Sequence, residues 1–220
     1  MKKLLLSHGF MLLALASFSY YGSTFTMHKT QDATVQAIAI PEMPQDISPL
    51  LIGETIPQIT LPDADKKSIN INMSLTKKPA ILIFYRGGWC PYCSAQLSGM
   101  MDIEEDLKKT GYDIIAISTD SPENLKQTEM KEKMGYTLLS DSNLAISKQF
   151  GIAFKAPKEY EDMLVKASGN KNIDKLLPVP SVFIVDKNGK IRFEYINPNF
   201  KERISPSLLK AAANAVYKEM

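Results

Sequence analysis

Two cysteines, Cys90 and Cys93, stand three residues apart in Arg86-Gly87-Gly88-Trp89-Cys90-Pro91-Tyr92-Cys93, and the chain holds no others. On a helix this spacing lets the two sulfurs meet across one turn, so a bond between them can be made and broken. The apolar run Ala80 to Tyr85 leads into the Gly87-Gly88 turn, and Pro91 suits a first helical turn, which leaves Cys90 as the N-cap. Unpaired N–H groups at a helix start stabilise thiolate over thiol. Cys93 shares the core-facing side of that helix with Leu97, Met100, Ile103 and Leu107, while Cys90 falls at the tip beside Trp89. The pattern predicts an exposed attacking thiol at Cys90 and a sheltered resolving thiol at Cys93. Arg86 adds positive charge if its side chain turns toward the pair.

Other chemistries lack residues. A structural staple is a poor use of the spacing, because so small a loop contributes only about 2 kcal/mol. His8 and His28 are the two histidines, both far before the cysteines. A zinc site built from four cysteines, or from a cysteine pair and a histidine pair, therefore lacks ligands in the folded part. A nucleophile driven by a histidine base is excluded for the same reason. Two thiolates can hold a soft ion such as Cu(I), but no third ligand follows, and neither metal nor cofactor is expected. With 26 Lys+Arg against 24 Asp+Glu the chain has no basic excess of the kind a nucleic-acid module carries.

The elements that must position the pair are readable from patterning. Ala80 to Tyr85 and Tyr112 to Ser118 are apolar runs expected as strands covered on both faces. Between them a helix is predicted from Pro91 to about Lys109, stopped by Gly111. Ser121-Pro122-Glu123 opens a second helix ending near Gly135, Tyr136 to Leu139 reads as a short strand and Ser142 to Phe150 as a short helix. A hairpin is expected from Ile56 to Leu61 and Ile69 to Ile71, and another from Ser181 to Asp186 and Lys190 to Tyr195 around Asp186-Lys187-Asn188-Gly189. Ser205 and Pro206 cap a last helix carrying Leu208, Leu209, Ala212, Ala213 and Val216 on one side. The result is an α/β fold, a central mixed sheet flanked by helices. The stretch Ile152 to Leu177 breaks the alternation and reads as an insertion with a helix at Tyr160 to Ala167.

Three segments are expected. Residues 1–22 start with Lys2 and Lys3, continue through the apolar Leu4 to Phe18, and offer Ala14 and Ala16 as a cleavage pattern. They read as an export signal, or as an uncleaved membrane anchor, and imply a periplasmic or other extracytoplasmic location. Residues 23–49, punctuated by Pro41 and Pro44, read as a linker or arm, and residues 50–220 as the folded domain.

At these residues the chain resembles the thioredoxin superfamily, and within it the peroxiredoxin-like branch of the alkyl hydroperoxide reductase/thiol-specific antioxidant group. The likeness runs from about Leu51 onward and includes Gly53-Glu54-Thr55-Ile56-Pro57, Ile117-Ser118-Thr119-Asp120-Ser121-Pro122, Leu139-Ser140-Asp141 and Pro178-Val179-Pro180-Ser181. It implies a thioredoxin-like fold and thiol-based reduction of peroxides or disulfides. Two registers compete. The peroxiredoxin pattern Pro-x-x-x-Thr-x-x-Cys, laid on Arg86 to Cys93, makes Cys93 the peroxide-attacking cysteine, with Arg86 in the proline position and Cys90 in the threonine position. The thioredoxin pattern Trp-Cys-x-x-Cys, laid on Trp89 to Cys93, makes Cys90 the nucleophile. Where peroxiredoxins usually carry an arginine before a late strand this chain has Pro180, matching the cis-proline that thioredoxins place against their pair. Arg86 is then a candidate replacement for that arginine. No acid stands out as the buried acid of thioredoxin-like proteins.

The resemblance implies an antioxidant thiol peroxidase acting on hydrogen peroxide or organic hydroperoxides through a redox disulfide Cys90–Cys93. Cys90 and Cys93 are catalytic in this reading, and Arg86, Trp89, Pro91 and Pro180 support them. An external dithiol donor, thioredoxin-like or a membrane electron relay, would recycle the pair. A thiol–disulfide oxidoreductase acting on protein disulfides, and a redox-inert binding module with the Ile152–Leu177 stretch as its contact surface, are the alternatives.

Overall fold

A computed structural model describes residues 39–132 and 134–220. The expected leader 1–22 and the arm as far as residue 38 lie outside the described residues. The remainder of the arm holds a 3-10 turn at Pro44–Asp46, and the backbone N–H of Lys155 donates to Pro41 O at 2.9 Å.

The chain first makes a small antiparallel pair, β1 (Thr60–Pro62) and β2 (Ser68–Asn70), with Thr60 opposite Asn70. This hairpin is shorter than the sequence pattern predicts. Ile71 opens a helix instead, α1 (Ile71–Leu75), because the Asn70 side chain accepts from Met73 N at 2.8 Å and caps a new turn. Next come β3 (Ala80–Tyr85), α2 (Pro91–Thr110), β4 (Asp113–Ser118), α3 (Pro122–Glu132), β5 (Thr137–Ser140) and α4 (Ala145–Gln149). The Ile152–Leu177 stretch contains β6 (Ala153–Lys155) and α5 (Glu161–Ala167) and runs into β7 (Leu176–Pro178), with β6 and β7 paired antiparallel. So it closes as its own two-stranded ribbon around the predicted helix. The chain ends with β8 (Ser181–Val185), β9 (Ile191–Ile196) and α6 (Pro206–Tyr217).

The main sheet is five-stranded, in the order β5-β4-β3-β8-β9. β3 runs parallel to β4 and antiparallel to β8, so the sheet is mixed as expected. All six β3 residues are buried, which explains the unbroken apolar run: alternate side chains feed two cores. On one face Ile81, Ile83 and Tyr85 meet Leu97, Met100 and Leu107 of α2 and Leu209 and Ala213 of α6. On the other, Leu82 and Phe84 meet Ile71, Leu75, Phe150 and Phe183. Leu208, expected on the inward side of α6, is 52% exposed; Leu209 and Ala213 do the packing. Truncating a fully buried leucine such as Leu97 to alanine is expected to destabilise by about 2–5 kcal/mol. β3 and α2 are thereby held rigidly on either side of the turn that carries the thiols.

Candidate active site

The turn between β3 and α2 is shaped by two glycines that neighbouring groups require. Gly87 has φ +148, and a Cβ there would run into the Trp89 indole and stand 2.8 Å from Asp120 Oδ1. A Cβ on Gly88 would meet Thr128 Oγ1 of α3. Gly88 N donates to Asp120 Oδ2 at 2.7 Å. The glycine pair therefore lets an acid from the end of β4 close on the backbone just before the thiols.

Cys90 is the N-cap of α2, in extended conformation, and Pro91 is its first helical residue. Cys90 O accepts from Cys93 N and Ser94 N, both at 3.0 Å. Both cysteines are free and both are buried, Cys90 at 1% exposure and Cys93 at 0%. The exposed thiol predicted at Cys90 is thus corrected. Pro91 and Tyr92 take the solvent side of the helix start, while the N-cap side chain folds back over the first turn toward Cys93.

The electrostatics of the two neighbouring thiols diverge. Cys90 is held down to about 6 from an ordinary 9.0, first by the hydrogen bond from the Cys93 thiol, against burial, with help from Cys93 N–H and the charges of Arg86 and Arg203. Cys93 is held well up, because its proton is engaged by Cys90 and because it is buried. Of the two, Cys90 is therefore the thiol that loses its proton more readily.

Arg86 does turn into this region. It is 3% exposed, and its guanidinium lies over three rings, 5.0 Å from the centroid of Trp89, 4.7 Å from Tyr160 and 4.3 Å from Phe200. Trp89 is thereby tied to the site rather than to the core alone, and Tyr160 draws the Ile152–Leu177 stretch against it. Pro180 is buried directly before β8 and borders the same cavity as Arg86. The antiparallel register that sets Phe84 opposite Ser181 puts Pro180 at the thiol end of the sheet.

Two further residues escaped the sequence reading. Arg203, between β9 and α6, brings Nη2 to 3.6 Å from Cys93 Sγ, and Phe200 O and Glu202 O anchor its Nη1. It sits in an aperiodic segment, and nothing in the chain's local pattern marks it. Asp120 is the buried acid that did not stand out, 2% exposed and raised by burial to about 6, against the opposing pull of Gly88 N–H. Its signal was available: it follows the buried β4 directly, at the carboxyl end of a parallel strand, where such sheets gather functional groups.

Among the described residues no cluster of three or more His, Cys, Asp or Glu could hold a metal ion, and no helix is long and apolar enough to cross a membrane.

Residues 52–194 match the AhpC/TSA family. Peroxiredoxin Bcp of Escherichia coli K12 is 32% identical over 155 residues, covering 70% of this chain and 90% of that protein. The chloroplastic peroxiredoxin Q of Gentiana triflora is 31% identical over 166 residues, covering 74% of this chain and 67% of that protein. Among solved structures, peroxidoxin BcpB from Mycobacterium tuberculosis is similar with a TM-score of 0.62 at 20% identity, covering 77% of this chain and 97% of that one. That likeness carries the fold.

Proposed function

The chain belongs to the AhpC/TSA family, and from that membership and the site we propose a thiol-dependent peroxidase in which Cys90 attacks and Cys93 resolves. What supports the assignment of roles is the place of Cys90 as the N-cap of α2, where the unpaired N–H groups of a helix start favour a thiolate, with its thiol held below the ordinary value while that of Cys93 is held above it.

The steps follow from that arrangement. The Cys90 thiolate attacks one peroxide oxygen; an S–O bond forms and the O–O bond breaks, leaving Cys90 as a sulfenic acid. The departing hydroxide or alkoxide takes the Cys93 proton and leaves as water or alcohol. Cys93 is now a thiolate, 3.6 Å from the Arg203 guanidinium, which offsets its charge. It attacks the Cys90 sulfur, expels hydroxide and closes the Cys90–Cys93 disulfide. An external thioredoxin-like dithiol restores the pair by thiol–disulfide exchange, supplying two electrons per peroxide. In this reading Pro91 fixes the helix start, Arg86 and Trp89 frame the thiolate, and Pro180 shapes the approach. The basic start and apolar run of residues 2–21 support export, in which case the donor works outside the cytoplasm.

One observation favours the opposite assignment. The guanidinium touches Cys93, not Cys90, which fits the register in which Cys93 attacks and Arg203 holds the leaving oxygen. Reduced wild type, Cys90→Ser and Cys93→Ser proteins, mixed with stoichiometric hydrogen peroxide and a sulfenate trap, separate the two by intact mass. Rapid trapping in Cys93→Ser with none in Cys90→Ser supports Cys90 as the attacker. The reverse pattern reassigns the role to Cys93. Slow oxidation of all three, beside fast reduction of insulin disulfides, would remove the peroxidase reading in favour of disulfide exchange.

A further inference from the structure

The guanidinium of Arg86 poses an electrostatic problem that the thiol chemistry does not resolve. The residue is almost wholly withdrawn from water, at 3% exposure. Its buried Nε has no hydrogen-bond partner, and no carboxylate of the described residues pairs with it. Its charge bears on Cys90, but its Nε donates to neither sulfur. Three aromatic faces offset part of the lost hydration, yet ring faces accept no in-plane N–H. A buried cation with an unused donor favours an anion.

Arg86 also borders a cavity of about 390 Å³, within the range of small-molecule sites. Its other walls are mostly apolar. Pro44, Pro157, Pro178, Pro180 and Pro198 all line it, and prolines present rings and no N–H. Phe154, Ala156 and Leu177 continue the apolar surface. Such a wall gives an extended peptide backbone few donors to pair with, whereas a hydrocarbon needs none. Tyr160 and Phe200 belong both to the cavity and to the cage on Arg86, so the apolar wall and the Arg86 cation form one continuous surface.

We propose that this cavity binds a small amphipathic carboxylate, its aliphatic chain along the proline-lined wall and its carboxylate received by Arg86. Besides Arg86 and Pro180, the site takes surfaces from three parts of the chain: the segment before the fold proper (Glu42 to Pro44), the stretch that holds the β6–β7 ribbon, and the loop after β9. It gives the Ile152–Leu177 stretch a role, since that stretch supplies one wall and the Tyr160 ring. Neither the peroxidase assignment nor the choice of attacking sulfur enters this inference.

The chain has one tryptophan, Trp89, and its ring lies against Arg86, so its emission reports on the site directly. Decanoate added to the reduced protein is expected to shift that emission saturably. Decanol, with the same chain and no charge, should need at least ~10-fold more, the loss of a charge-assisted hydrogen bond. Acetate should produce no shift. Equal midpoints for decanoate and decanol would overturn the role of Arg86, and acetate matching decanoate would overturn the apolar wall. A short apolar peptide with a free C-terminus that displaces decanoate at lower concentration would overturn the choice of ligand. Arg86→Met should abolish the carboxylate preference. If that variant does not fold, Ala156→Phe fills the cavity while leaving Arg86 in place; an undiminished decanoate response there, with an unchanged circular dichroism spectrum, would overturn the site. Because the readout is binding, its failure leaves the peroxidase reading standing, and failure of sulfenate trapping leaves this site standing.

Discussion

Asp120 and Asp141 occupy matching places, each buried just beyond the carboxyl end of a parallel strand, β4 for one and β5 for the other. Burial raises both to about 6. Their wiring differs. Asp141 is enclosed: Ile146 N donates to it at 3.1 Å, Ser147 N at 2.7 Å and Ser147 Oγ at 2.7 Å, so the carboxylate ties the α4 segment to the sheet. Asp120 takes Gly88 N at 2.7 Å and borders a cavity of about 430 Å³ together with Gly88, Trp89 and Thr128. One acid fastens a helix and the other supports the thiol turn. A raised pKa therefore does not by itself identify a functional group; the partners and the open side of the residue do.

The largest expected effect would break the contrast outright if it failed. Cys90→Ser should slow peroxide consumption by on the order of 1000-fold or more, as loss of a nucleophile does. Asp141→Asn should leave the same rate within about twofold, by stopped-flow with a chosen dithiol donor. Equal losses in the two variants would erase the distinction between a working and a fastening strand end. Stability should rank the other way. Asp141→Asn is expected to cost about 1–3 kcal/mol in urea unfolding, because one amide oxygen must serve donors that now share two, and its NH2 meets N–H groups. A neutral result would mean that α4 holds its place without the carboxylate.

Asp120→Asn has a smaller effect with an opposite sign. A folded pKa raised above 3.8 means that the folded state keeps its proton longer, so the stability contributed is full below pH 3.8 and is lost as pH rises through about 6. At pH 7.5 the wild type bears that loss, at most about 3 kcal/mol for a shift near two units. The asparagine oxygen still accepts from Gly88 N, while its NH2 needs a partner. A net gain of about 1 kcal/mol at pH 7.5, vanishing at pH 4, is therefore expected. Urea midpoints at the two pH values check it; a gain that is equal at both would show that the charge is not the cause.

What could be read from the chain and what could not divides along the same physical line. β3 and β4 were legible because burial on both faces writes an unbroken apolar run into adjacent residues. The thiols were legible because their turn, cap and spacing lie within eight consecutive positions, Arg86 to Cys93. The groups that complete the site come from afar: Asp120 lies 32 residues beyond Gly88, and Arg203 lies 110 beyond Cys93. Only the sheet order brings them together, and no local pattern records that. The burial of Cys90 was missed for a related reason. Helical periodicity describes the faces of α2 but not the fold-back of an N-cap side chain. At Asn70 a single side-chain hydrogen bond turned an expected strand end into α1.

The smallest effect bears on the sharpest question, which sulfur holds the charge. Alkylation of Cys90 by iodoacetamide should rise with pH around a midpoint of about 6, where an ordinary thiol would show 9.0. The Cys93 hydrogen bond is the foremost cause of that depression and the Arg203 charge the least of those acting on Cys90. Cys93→Ala should consequently move the midpoint well upward, while Arg203→Gln should move it up less. Mass spectrometry of the alkylated peptide, taken across roughly pH 4.5 to 9.5, measures both shifts on the same residue. If Arg203→Gln moves the profile further than Cys93→Ala, the guanidinium rather than the neighbouring thiol governs the pair. The negative charge then belongs beside Arg203, on Cys93, and the register that makes Cys93 the attacker becomes the better description of the site.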